Sequence, residues 1–283
     1  MEGTINNVQD TALWVAAFRA RESDREDALF KDTLAKKLAG ERGDKIVAAT
    51  PRAFAKIMTF VMAIRTESID RLIGIAIDKG IDTVVNLGAG LDTRPYRMKL
   101  PAQLKWIELD FPNIIDYKSE VLQNEQPVCK LQRIAVNLSD DVAREEVFAK
   151  INVESKKALV ITEGVIPYLS NDEAAKLSHS IYQVPAFHFW IQDYRQGDGV
   201  RKRPRAVKEM LVNAPFKFTE SNPLQFFGRD GWKVSENVYM IEEARKLGRK
   251  FPSVFPWNVL RFLFGKKMRK EMSEAFGYVM YSK

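Results

Sequence analysis

Residues 81–97, IDTVVNLGAGLDTRPYR, decide the fold. Ile81, Val84, Val85 and Leu87 form a short apolar run with no helical period, and Gly88 and Gly90 interrupt it. Such a run reads as a buried parallel strand ending in a tight turn, because a strand covered on both faces needs no polar alternation. Gly88 lets the chain turn sharply. Gly90, with no β-carbon, lets the backbone approach a ligand that any side chain would push away. Twenty residues beyond Gly90, a second apolar segment (Leu104, Trp106, Ile107, Leu109) ends in Asp110. A carboxylate there can accept hydrogen bonds from both hydroxyls of a ribose. These features together point to a nucleoside derivative, with a purely structural glycine turn as the competing reading.

In a dinucleotide fingerprint a third glycine leaves a helix N-terminus facing a pyrophosphate, but Thr93 stands at that position here. The loop offers Asp92 instead, a poor neighbour for phosphate and a good one for a cationic group. S-adenosylmethionine carries adenosine, a sulfonium and an ammonium, and no phosphate. The loop chemistry favours it over NAD or NADP.

NLGAGLDTRPYR followed by WIELDFP resembles the leucine carboxyl methyltransferase family, in particular a bacterial branch similar to the polyketide O-methyltransferases of tetracenomycin type. FRARESDREDALFKDTLA, AIRTESID and ITEGVIPYLS match in order, and the resemblance runs from about Ala16 to Tyr194. It implies an α/β fold of class I methyltransferase type. That fold has a Rossmann-like, mostly parallel sheet with an antiparallel last strand, a helical N-terminal extension and a C-terminal lid insertion. It implies one domain, with residues 1–80 as a helical cap, 81–195 as the cofactor-binding core and 196–283 as substrate lid and closing strands.

The resemblance also implies the site. S-adenosyl-L-methionine would be held by Gly88, Ala89, Gly90, Asp92 and Arg94 of the loop and by Asp110. Asn137 and Leu138 would meet the adenine amino group, Arg65 the carboxylate, and Glu163 the amino acid end. A guanidinium can hold a carboxylate through two parallel hydrogen bonds, which a lysine cannot; without the resemblance, Arg65 reads as a surface charge. Many members carry Asp where Asn137 stands, and an amide can still accept or donate. Glu163 has a structural N-cap as its competing reading. Gly164 and Tyr168 would shape the following loop, and Pro167 departs from the family pattern. Arg19 and Arg21, in the N-terminal extension, become candidates for meeting an anionic substrate, Arg19 the stronger.

At 283 residues a single α/β domain with additions is the usual outcome, burying about 75% of its unfolded surface. The only cysteine is Cys129, so no disulfide forms within the chain, and a reducing cytosol fits. No apolar run reaches the roughly eighteen residues of a membrane span, and MEGTINNVQD lacks the blocks of a signal peptide. A soluble, cytoplasmic protein is expected. The net charge of +7, from 44 basic against 37 acidic residues, is too mild to argue for nucleic acid and favours an acidic substrate.

Along the chain the pattern predicts helix from about Asp10 to Leu38, from Lys45 to Met62, from Ser68 to Lys79, and after Pro112. Strands are expected over Val128–Val136, Ala158–Thr162 and AFHFWIQDY, with Ser170 and Asn171 capping a helix through Tyr182 between the last two. FFGRDGWKVSENVYM gives a sixth strand, MIEEARKLGRK a helix, and FGYVMYSK the last strand. His188 reads as packed within its strand and His179 as inert on a helix face. No His, Cys or carboxylate pair has metal-ligand spacing, so no metal is expected. The basic run RKRPRAVK, Arg201 to Lys208, reads as a solvated helix face. In the tail FPWNVLRFLFGKKMRK, Trp257, Leu260 and Phe264 read as packing on the domain or roofing the substrate pocket.

The resemblance implies a methyltransferase acting at oxygen, on a carboxylate or hydroxyl of a small molecule such as a polyketide-like metabolite. A carboxylate is ionised at neutral pH and needs no general base, which suits a chain with two histidines. No residue is assigned as a certain catalyst: Tyr194 and Arg19 are candidates, and Arg19, Tyr168, Tyr194 and Arg195 are candidate substrate contacts. The alternatives are esterification of a protein's C-terminal carboxylate, an NAD(P)-dependent oxidoreductase, and a cofactor-binding protein without catalysis. A homo-oligomer is compatible with the sequence.

Overall fold

The computed structural model describes residues 5–197, 213–252, 270–271 and 273–283. The run Arg201 to Lys208 and the tail residues Trp257, Leu260 and Phe264 lie outside them.

Three helices precede the sheet: α1 (Val8–Ser23), α2 (Ala35–Ala49) and α3 (Arg52–Asp78). Asn7 caps α1 by accepting a hydrogen bond from Asp10 N. The helix expected from Asp10 to Leu38 is two helices with a loop between, and α2 bends at Gly40, whose φ of 55° only glycine adopts easily. The break expected between Met62 and Ser68 does not exist, and one occurs earlier instead. Pro51 disfavours helical dihedrals at Thr50, which is extended (φ −67°, ψ 129°), and from Arg52 the helix runs unbroken to Asp78. Nothing in AIRTE, residues 63–67, can stop a helix. Arg65 therefore sits in mid-helix, on the element that buries Ile64, Ile69, Leu72 and Ile73.

The sheet contains β1 (Thr83–Leu87), β2 (Lys105–Asp110), β3 (Lys130–Ala135), β4 (Ala158–Thr162), β5 (Phe187–Arg195), β6 (Lys233–Tyr239) and β7 (Phe276–Ser282). Their spatial order is β3-β2-β1-β4-β5-β7-β6. The first five are parallel, and β7 inserts antiparallel between β5 and β6. Every residue of β1 and β4 is buried, whereas edge strand β3 is half exposed. Among the described residues the other α-helices are α4 (Arg94–Arg97), α5 (Pro112–Val121), α6 (Asp141–Glu154), α7 (Asn171–Gln183), α8 (Pro223–Gly228) and α9 (Met240–Lys246). A Ser170/Glu173 capping box starts α7.

One apolar cluster joins Val85, Leu87, Phe148, Leu177, Trp190 and Phe227; a second joins Val84, Trp106, Ile161 and Ile191 to Leu72 and Ile73 of α3. Alternate residues of each strand thus feed opposite faces. A third cluster, with Trp14, Phe18, Leu38 and Ile46, seats α1 and α2 on the loop residue Leu91. Strand order reverses between β1 and β4, and such a switch point opens a crevice at the carboxyl ends of the strands. No helix of the described residues is long and apolar enough to cross a membrane.

Candidate active site

The loop after β1 is fastened to the end of β2. Gly88 N and Ala89 N donate to Leu109 O (2.8 and 3.1 Å), and Gly90 N donates to Asp110 Oδ2 (2.6 Å). Gly88 and Gly90 have φ of 65° and 48°, in the region that side chains strain to enter. A β-carbon on Gly88 would lie 2.6 Å from Val165 Cγ2, so the glycine is what lets the turn after β4 close over the loop.

Asp110 also accepts from Phe111 N at 2.7 Å through Oδ1. Each of its oxygens therefore holds one backbone donor and keeps one acceptor direction free. Burial pushes its pKa up against the pull of the two backbone N–H groups.

Behind the loop runs a chain of paired charges. Arg94, 3% exposed, reaches Asp70 of α3 (2.6 Å), Asp92 (2.8 Å) and Glu163 Oε2 (2.8 Å). Arg97 holds Asp70 as well (2.5 Å), and Arg19 of α1 holds Asp32 (2.9 Å) and donates to Leu91 O (2.5 Å). Burial raises the pKa of Asp92, but the fields of Arg94, Lys118, Arg19 and Arg97 outweigh it and hold the carboxyl well below the usual range. For Glu163, too, burial is outweighed by Arg94 and Arg65, and its pKa is lowered.

Arg65 Nε lies 2.8 Å from Glu163 Oε1 and Nη1 lies 3.8 Å from Asp193 Oδ2. The first contact is not aligned along the N–H, and Arg65 Nε is buried without a hydrogen bond among the described residues. Asp193 accepts from Gly164 N (2.6 Å), and burial raises its pKa.

Arg19, Arg65, Arg94, Arg97, Asp92, Asp110 and Glu163 line a cavity of about 370 Å³ at the carboxyl ends of the central strands, a size usual for small-ligand sites. Of the residues singled out from sequence, Arg19, Arg65, Gly88, Ala89, Gly90, Asp92, Arg94, Asp110, Asn137, Leu138, Glu163 and Tyr168 line it. Asp92 also braces the loop internally: Asn86 Nδ2, Arg94 N and Arg94 Nη1 all donate to it (2.8–2.9 Å). Asn137 Oδ1 accepts from Ser139 N (3.0 Å), an Asx turn that fixes the side chain.

Tyr194 and Arg195 do not line the cavity. Tyr194 turns to the other face of β5, donates to Asn237 Oδ1 (2.7 Å) and packs its ring over Gly277. Arg195 stacks on Phe276, 5.1 Å from the ring centroid. Their neighbour Asp193 does not line the cavity either but stands behind it, against Arg65 (3.8 Å) and Gly164 N, and sequence reasoning missed it. The signal was present: Asp110 and Glu163 stand at or just past the carboxyl ends of β2 and β4, and Asp193 is the acid at the corresponding end of β5. The pairing acids Asp32 and Asp70, and the α1 residues Thr11, Ala12 and Val15 that line the cavity, were also missed. Neither histidine lines it: His188 Nδ1 lies 2.9 Å from Ala186 O, and His179 is exposed beside Asp230. Cys129 is buried, and burial pushes its thiol up to about 11. Among the described residues no group of three or more His, Cys, Asp or Glu side chains is arranged to hold a metal ion.

Residues 12–182 match the family model for leucine carboxyl methyltransferase. A Mycobacterium tuberculosis protein named as a candidate S-adenosyl-L-methionine-dependent methyltransferase is 30% identical over 271 residues, covering 87% of this chain and 86% of the relative. A Frankia alni protein with a name of the same kind is 30% identical over 251 residues, with 86% and 89% covered. Among solved structures, a candidate methyltransferase from Thermobifida fusca superposes with a TM-score of 0.55 at 16% identity, over 95% of this chain and 94% of that one. A duf574 family protein from Streptomyces avermitilis gives 0.55 at 12% identity, with 95% and 96% covered. Those two share the fold. With more than half its length matched by the model, this chain belongs to the leucine carboxyl methyltransferase family.

Proposed function

We propose that the protein is an S-adenosyl-L-methionine-dependent O-methyltransferase that esterifies a carboxylate of a small molecule, and that the whole chain is one domain serving this reaction. The observation that carries the reading is the Gly88–Gly90 turn pinned to Asp110 inside a cavity of about 370 Å³. The residues fit the cofactor. Asp110 keeps an acceptor direction on each oxygen for the two ribose hydroxyls, and Gly88 and Gly90 leave room beside them. Arg65 keeps a buried Nε without a hydrogen bond, suited to a carboxylate, and Glu163 in the lining supplies negative charge for an ammonium. Asn137 and Leu138, also in the lining, are the residues this reading gives to the adenine edge. The relatives' names point the same way.

The cofactor supplies an electrophilic methyl group on a sulfonium. The chain's own residues bind, orient and exclude water, which can lower a barrier by roughly 7–11 kcal/mol. Among the described residues of the lining, three carboxylates are already engaged: Glu163 is held ionised by Arg94 and Arg65, Asp92 is consumed by the loop, and Glu173 is tied to Ser170 N (2.6 Å). An acceptor that is already ionised fits such a site, and a carboxylate with a pKa of about 4 is one. A phenol or alcohol would need a proton removed.

Calorimetry with S-adenosylhomocysteine, followed by transfer of labelled methyl to panels of carboxylates, phenols and C-terminal peptides, tests the reading. Ester formation on small carboxylates is the expected outcome; label on phenols alone refutes carboxylate transfer, and label on peptides at enzyme-like rates refutes the small-molecule acceptor. Family membership sets aside the oxidoreductase alternative.

A further inference from the structure

Among the described residues, five cations line the cavity: Arg19, Arg65, Arg94, Arg97 and Lys217. Each arginine has a carboxylate within 3.0 Å, respectively Asp32, Glu163, Asp70 and again Asp70. Lys217 is different. Among the described residues its ammonium makes no hydrogen bond or ion pair; Glu173, also in the lining, feels its field without touching it, and Glu173 Oε2 accepts from Ser170 N.

The backbone under Lys217 is fixed. Lys217 N and Phe218 N both donate to Pro167 O (2.8 and 3.3 Å), tying residues 216–218 to the turn after β4. On either side, the Phe216 ring meets Tyr168 edge-on at 4.9 Å and Phe218 stacks on Phe227 at 5.9 Å. Asn213 Nδ2 reaches back to Ile5 O (3.3 Å), just before α1. Alternate residues 214, 216 and 218 are thereby anchored inward or half buried, while Lys217 is exposed at the cavity beside Tyr168 and Leu169. The same lining includes Thr11, whose Oγ1 is buried without a hydrogen-bond partner among the described residues.

We infer that Lys217 is the specificity-determining residue for the acceptor: its ammonium meets the acceptor's carboxylate at the mouth of the cavity. The inference rests on the carboxylate reading above and deepens it. The arginines are committed to folding and to the cofactor, so the acceptor's charge falls to the cation whose ammonium no described carboxylate contacts. An ester or amide of the same acid carries no charge and loses this contact, so the site distinguishes the acid from its methylated product.

The test uses the full chain loaded with S-adenosylhomocysteine and a panel of alkyl and aryl monocarboxylates, each paired with its primary amide and methyl ester, titrated by calorimetry. Wild type is expected to bind at least one acid about tenfold or more tightly than its amide and ester, and the preference should shrink with added salt. Lys217→Ala should bring acid, amide and ester within about twofold of one another, Lys217→Arg should keep the preference, and both should bind S-adenosylhomocysteine as wild type does. An acid preference that survives in Lys217→Ala overturns the inference, as does a wild type that prefers no acid over its amide. Methyl transfer measured on the same panel separates the two ideas. Transfer to carboxylates that is indifferent to Lys217→Ala removes Lys217 and leaves the proposed function standing; transfer to hydroxyls alone removes both.

Discussion

Replacing Asp110 with asparagine changes one oxygen for an NH₂ group and removes a charge, with no change of shape. In the proposed complex one charge-assisted hydrogen bond to ribose is lost, about 1.5–3 kcal/mol, and the other becomes neutral, about 0.5–1.5 kcal/mol. The sum, roughly 2–4 kcal/mol, raises Kd for S-adenosylhomocysteine about 30- to 1,000-fold. Stability should move far less. One of Gly90 N and Phe111 N loses its acceptor, but a buried carboxylate also disappears. Its pKa is raised by burial, so the ionised form costs the folded state stability as pH climbs past the unfolded value, and asparagine is free of that cost. A Tm within about 4 °C of wild type is expected. Titration calorimetry reads the affinity and thermal melts read the fold. Ligand at a hundred times the wild-type Kd should stabilise wild type by about 2.7 kcal/mol and a variant weakened hundredfold by about 0.4 kcal/mol. An unchanged Kd in a folded Asp110→Asn protein would refute the assignment of Asp110 to the ribose.

Arg65→Lys should weaken cofactor binding about tenfold, since an ammonium cannot reproduce the guanidinium fork; equal affinity by calorimetry would remove Arg65 from the carboxylate. Gly88→Ala places a β-carbon 2.6 Å from Val165 Cγ2 at a φ of 65°, and should cost about 1–3 kcal/mol in chemical denaturation; a neutral result would mean that the turn after β4 yields freely. The lowered pKa values of Asp92 and Glu163 give stability that is full above about pH 4.3, the upper of their unfolded values, and is lost as pH falls toward their folded ones. Arg94→Met should lower Tm at pH 7 and flatten the acid limb of Tm against pH; curves that stay parallel would show that Arg94 is not what holds the two carboxyls down.

The strand–glycine–acid pattern from Ile81 to Asp110 was legible because it is local: strand, turn and acid follow one another within thirty residues and each leaves a composition signal. Asn137 and Glu163 could be placed because they immediately follow recognisable strands. What could not be read was parity and pairing. Whether Asp193 or Tyr194 faces Arg65 behind the cavity depends on which face of β5 each occupies, and the Tyr194↔Gly277 register with β7 decides it. Asp32 and Asp70 meet their arginines across loops and helices, contacts with no trace in spacing. Lys217 was hidden for the same reason: its position depends on Pro167 O, some fifty residues upstream in the chain. The helix boundary at Pro51 was legible and overlooked, whereas the absence of a break around Arg65 follows from residues that carry no stop signal.

Arg94 touches α3, the loop after β1 and the segment after β4 through one guanidinium. Three stretches remote in sequence therefore share a single pivot, and the mould for a ligand is finished when the chain folds. Freedom that a looser pocket would surrender on each encounter is here surrendered once, during folding. Recognition should accordingly resemble a key entering a cut lock, with heat-capacity changes that follow the area covered rather than the ordering of a loop.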